Sequence, residues 1–161
     1  MTVAIGRAMR AWASLETVLM FQFEALLRVD QFRARIVWHA LPNMRARRDL
    51  LQSLADTYLD DTHRKEYRKI MNRLLKLSEI RNMLAHSTPF LADGEVMFMR
   101  PGIRSFTVAE FNKEKKYTER QIFDHHKHLG ELCRDLIRFE GRAKLHTSPE
   151  IHRAPANQRK T

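Results

Sequence analysis

The chain has almost nothing with which to staple itself. A single cysteine, Cys133, in 161 residues excludes an intramolecular disulfide and a thiolate zinc site, and points to a reducing, cytoplasmic setting. The five glycines are scattered, so no phosphate-cradling glycine loop is present and no nucleotide cofactor is expected. No stretch approaches the roughly eighteen apolar residues of a membrane span. Arg7, Arg10 and Glu16 interrupt what would have to be the apolar region of a signal peptide, so the protein is expected to be unexported, with no membrane partner. Acidic residues are also few: 19 Asp and Glu against 29 Lys and Arg give a formal charge of +10 and a pI near 10.3. Such an excess favours a polyanionic partner, because clustered cations release the counterions condensed on phosphates.

What is present is helical periodicity. Residues 4–28 repeat Met9, Trp12, Leu15, Leu19 and Leu26 at three- and four-residue spacing, with Met20, Phe21 and Phe23 on other faces, which predicts a helix buried on more than one side. A short helix over 31–41 stops at Pro42, and a longer one follows over about 42–59. A third long helix opens at the polar cluster Asp60–Thr62 and ends before Pro89. Val96–Met99 and Ser105–Phe111, flanking Pro101-Gly102, predict a small β-hairpin within about 94–111. Thr118 and Gln121 have the spacing of a capping box, and Ile122, Phe123, Leu129, Leu132, Cys133, Leu136 and Ile137 then define the apolar face of a last long helix. The expected fold is an all-α, up-and-down bundle of four long helices and a short one, forming one domain over 1–145. Residues 146–161, basic and proline-rich, are expected to be a flexible tail. The breadth of apolar surface on helix 4–28 predicts a homodimer.

One arginine breaks this pattern. In "SEIRNMLAHSTPF" (78–90), Arg81 lies where a leucine would pack: at about 100° per residue, Leu77 and Ile70 fall within about 40° on one side and Leu74 and Tyr67 within about 40° on the other. An unpaired buried guanidinium costs several kcal/mol and does not shed its proton, so Arg81 requires a carboxylate, a carbonyl, water or a bound phosphate. Asn82 and His86 share a face about 100–140° away. They would converge with Arg81 only if Pro89 tightened the last turn, or across a two-fold axis between two copies.

"RNMLAH" at 81–86 resembles the R-x4-6-H motif of the HEPN domain: an arginine, a polar residue and a histidine at the C-terminal end of a long helix in a helical bundle. The same spacing recurs at Arg120 and His125. Asn82, the helix-end position, the proline stop and the apolar stripe are what single out Arg81. The resemblance implies a dimeric, metal-independent endoribonuclease, of the kind that serves as a toxin or phage-defence effector and is opposed by an antitoxin partner. In that role His86 takes the proton of a ribose 2′-hydroxyl, a task suited to imidazole. Arg81 holds the phosphate with a fixed fork of donors, and Asn82 orients the imidazole or binds a phosphate oxygen. The alternative is a non-catalytic helical module binding nucleic acid or a protein.

Arg47 is a second cation on an apolar face, with Leu50, Leu51, Leu54 and Tyr58, and reads either as part of the same anionic site or as a packed stem whose head snorkels or pairs with Glu16 or Glu79. Arg45 and Arg48 read as a solvated basic edge that could track an RNA backbone. His125 and His128 share a face, but no carboxylate or cysteine completes a ligand set, so no metal is expected. His126 aligns with Leu129 and Cys133 and reads as a core histidine. Trp12 and Trp38 read as packing groups.

Overall fold

The computed structural model describes residues 2–92, 95–99 and 117–145. Among these the protein is an all-α bundle with one small hairpin: α1 (Thr2–Leu27), α2 (Gln31–Ala40), α3 (Met44–Tyr58), α4 (Asp61–His86), β1 (Thr88–Ala92), β2 (Glu95–Met99) and α5 (Glu119–Arg142). Four helices are long and α2 is short, as the periodicity requires.

The helix starts follow from their caps. Asp30 accepts from the Arg33 backbone N–H at 3.0 Å and Asn43 from that of Ala46 at 2.9 Å. Asp60 accepts from the Thr62 and His63 amides at 2.9 and 3.0 Å, and its backbone and side-chain bonds with His63 hold its carboxyl below the usual carboxylate range. Each cap satisfies donors that the first helical turn leaves without partners. The capping box of α5 is formed reciprocally: Gln121 donates its amide to Thr118 Oγ1 at 3.2 Å, and Thr118 donates its own to Gln121 Oε1 at 2.8 Å. At the other end of α1, Arg28 adopts the left-handed conformation (φ 56°) and donates to the Glu24 carbonyl at 3.0 Å, the αL closure in which glycine is the commoner residue.

The chain divides into two compact units. The first comprises Met1–Glu16 and Asn72–Arg134. Its core contains Ala4, Ala8, Leu84, Phe98 and Ile122, with Ile5, Met9, Ile80, Met83 and Tyr117 packed against them. The small alanines at positions 4 and 8 leave room for the larger neighbours, and Phe98 anchors the hairpin in this core, with Tyr117 edge-on at 6.2 Å.

The second unit comprises Thr17–Met71 and Asp135–Thr161. Phe23 packs on Trp38 at 5.6 Å and Tyr67 on Phe139 at 5.1 Å between ring centroids. Two polar side chains are sealed here. Gln22 is fully buried and donates to Glu140, and Tyr67 carries a buried hydroxyl without a hydrogen-bond partner. Burial and the nearby Glu140 charge push the Tyr67 phenol far up from its usual range.

Of the two strands expected within about 94–111, Val96–Met99 falls in β2, and the strand it pairs with among the described residues is a further one. β1 pairs antiparallel with β2 in the register Thr88↔Met99 to Ala92↔Glu95, so the partner of 95–99 lies upstream. Pro89, read as the end of the helix, ends it and then opens a strand. Among the described residues β1 pairs with β2 alone, which makes it an edge there, where a strand tolerates proline. The expected turn at Pro101-Gly102, the run Ser105–Phe111 and the tail 146–161 lie outside the described residues.

Candidate active site

Arg81 lies in the first unit, five residues before the end of α4. Its guanidinium carbon sits 5.3 Å from the centre of the Trp12 ring system, and Trp12 is only 2% exposed. Nη1 donates to the Asn82 side-chain oxygen at 3.0 Å, while Nε is buried without a hydrogen-bond partner. Among the described residues no carboxylate pairs with Arg81. The arginine therefore replaces a leucine because its planar cation lies against an indole face, whose quadrupole attracts positive charge. That attraction is worth about 1–2 kcal/mol in a partly desolvated setting, less than the several kcal/mol that an unpaired buried cation costs. The half-buried charge is left under-compensated, which makes an anion its natural complement.

His86 is the last residue of α4 and is exposed. The final turn does not tighten: the Ser87 amide donates to the Met83 carbonyl at 3.0 Å, the ordinary i to i−4 bond. Five regular helical steps of about 100° leave Arg81 and His86 about 140° apart around the axis. The structure thus brings Asn82 to Arg81 and leaves His86 facing solvent, so the route by which Pro89 would swing the imidazole inward is not taken within one chain.

The second unit repeats the arginine–indole arrangement. The Arg47 guanidinium carbon lies 5.1 Å from the centre of Trp38, and Trp38 is buried. Arg45 is exposed. Arg48 is half-buried, with Nε donating to Asp49 Oδ1 at 3.0 Å, so its charge is already met by a neighbouring carboxylate. No family model, curated protein or solved structure matches the chain.

The three histidines of α5 fall one step out of phase with the sequence expectation. His125, not His126, faces the core: it is 2% exposed, on the stripe Ile122, Leu129 and Leu132, and neither ring nitrogen has a hydrogen-bond partner. Burial, reinforced by the charges of His128 and His126, lowers its pKa to about 4. His126 is half-buried beside Phe123, with ring centroids 6.0 Å apart, and His128 is exposed. Among the described residues no group of three His, Cys, Asp or Glu side chains is placed to hold a metal. The second Arg-x4-His pair is split between an exposed Arg120 and a sealed His125.

Sequence reading missed one basic corner of the first unit. Phe123, expected in the core, is half-buried, with Arg7 6.0 Å and Lys127 4.9 Å from its ring centre. Arg7, Arg120 and Phe123 line an open groove of about 350 Å³ with Val3, Ala4 and Glu119. The motif carried no signal for this corner, because Arg7 and Phe123 come from helices far apart in sequence.

Proposed function

We propose that the protein is a metal-independent endoribonuclease of HEPN type, cytoplasmic and homodimeric, acting as a toxin or phage-defence effector that an antitoxin partner neutralises. The observation that carries this reading is Arg81: a half-buried cation on Trp12, without a carboxylate partner among the described residues, whose Nε has no acceptor. In the reaction the His86 imidazole takes the ribose 2′-hydroxyl proton and the oxygen attacks phosphorus. The 5′-oxygen leaves and is protonated, giving a 2′,3′-cyclic phosphate and a 5′-hydroxyl end. Arg81 stabilises the charge that builds on the phosphoryl oxygens. The angular separation of Arg81 and His86 in one chain makes the symmetric dimer part of the proposal, since a two-fold axis can set the Arg81 of one copy opposite the His86 of the other. In the first unit, which carries Arg81, the cations around Phe123 supply positive charge for the RNA backbone.

A second reading is favoured by Asn82, which is engaged with Arg81 and not with His86. In it, the fold is a non-catalytic module that binds nucleic acid or a protein through the same basic surface. RNA cleavage in EDTA by the wild type and by His86→Ala separates the two. Cleavage with cyclic-phosphate ends, lost in the variant, supports the nuclease. RNA affinity without cleavage in either protein selects the module, and loss of wild-type activity on chelation removes the metal-independent mechanism.

A further inference from the structure

The short helix α2 is apolar on two opposite sides. Ala34 and Trp38 are its buried residues. Taking Ile36 as the origin, each of them lies about 160° away at 100° per residue. Around Ile36 itself lie Phe32 and Ala40, each about 40° off by the same step. Phe32 is 74% exposed and Ile36 59% exposed, and Val37 is exposed about 100° from Ile36, beyond Arg33. The helix thus carries an outer apolar ridge at i, i+4 and i+8, directly opposite the face it buries. Cationic and titratable groups border both long edges: Arg33 on one side, His39 and Arg35 on the other, all exposed. The helix has no acidic residue. Arg33 meets Asp30 at 3.2 Å, with both side chains largely in solvent, a pairing that leaves most of its charge available.

We infer that the outer face of α2 docks an amphipathic helix of a partner protein, one with an apolar stripe at three- and four-residue spacing flanked by Asp and Glu. Three alternatives fit less well. In a second copy of this chain packed antiparallel about a two-fold through Ile36, Arg33 would share an edge with Arg33 of the other copy, and each chain brings a charge of +10. A lipid surface suits an apolar face that runs unbroken over about 100° or more, whereas here Arg33 stands between the ridge, which spans about 80°, and Val37. Single-stranded RNA stacks successive bases on several aromatic planes, whereas the ridge offers one, Phe32, beside the aliphatic Ile36 and Ala40. A ridge one residue wide with charged shoulders is the shape that fits between the ridges of another helix, with flanking charges selecting the partner. This inference is independent of the nuclease reading, because it invokes neither Arg81 nor His86.

The full-length protein is titrated, by fluorescence anisotropy, with a labelled amphipathic peptide of about 20 residues, long enough for helix formation. The peptide carries a leucine stripe flanked by glutamates, and its counterpart carries the same stripe flanked by lysines. The expected result is binding of the glutamate peptide at least about tenfold tighter than the lysine peptide, with amide shifts centred on Phe32, Ile36 and Val37. Ile36→Asp should weaken it by a similar factor, and Arg33→Glu combined with Arg35→Glu should reverse the preference. Ile36→Ala, with far-ultraviolet dichroism of both variants, guards against a folding defect. Equal affinity for the two peptides, binding insensitive to Ile36→Asp, or no binding overturns the proposal. So does an effect of Ile36→Asp confined to self-association in sedimentation, to phosphatidylserine vesicles, or to oligouridylate.

Discussion

A buried imidazole with nothing to bond to makes the first unit sensitive to acid. His125 is held neutral by its surroundings, with a pKa of about 4 against about 6.5 for the imidazole of an unfolded chain. Between these values the unfolded chain binds a proton that the folded one refuses, so stability falls as pH is lowered through the window and is fully present above it. The shift corresponds to at most about 3 kcal/mol, of which about 2 kcal/mol is lost between about pH 7 and about pH 5. His125→Leu keeps comparable bulk on the Ile122, Leu129 and Leu132 stripe and removes two ring nitrogens without partners. It should therefore unfold at higher urea than the wild type at about pH 5, and the gap should narrow by about 2 kcal/mol on going to about pH 7. Urea melts of both proteins at matched ionic strength measure this difference, and the other seven histidines cancel in the comparison. If the two proteins lose stability in parallel over that range, His125 has a partner or a path to water, and the reasoning fails.

Arg81→Met keeps the stem on the apolar stripe and deletes the charge, so it should alter stability by no more than about 1–2 kcal/mol while abolishing the proposed RNA cleavage; a variant that cannot fold would make the arginine structural. Tyr67→Phe removes a sealed hydroxyl that has no partner and should raise the urea midpoint, by up to about 1 kcal/mol; a clear loss would show that the hydroxyl is bonded. Thr118→Ala opens the capping box and should cost about 1 kcal/mol. Hydrogen exchange should locate that loss in the first turn of α5, and unchanged protection there would count against the box.

The helices were legible because their caps and stops are local. Asn43 after Pro42, Asp60 before α4 and the Thr118–Gln121 pair set boundaries that lie within two residues of the expected ones. Val96–Met99 was legible as a strand, but its pairing with Thr88–Ala92 was not, because Pro89 reads as a stop and a strand admits proline only at an edge. In α5 a histidine occupies a core position of the stripe Ile122, Leu129, Leu132, Leu136 and Phe139. Reading that position as polar shifted the face toward Cys133 and Ile137, which are half-buried and exposed. Periodicity marked Arg81 and Arg47 as misplaced, but neither helix names the tryptophan its arginine meets, because the indole arrives from another helix through tertiary packing. The outer ridge of α2 escaped notice because a two-sided apolar helix reads as a buried one.

The chain has two tryptophans, and they fall one in each compact unit, each beneath a guanidinium. Replacing either by phenylalanine leaves a single indole whose emission reports on one unit alone. In the protein that retains Trp12, any anion that draws Arg81 off the ring must change the light that ring emits, so occupancy of the candidate site becomes observable without a label.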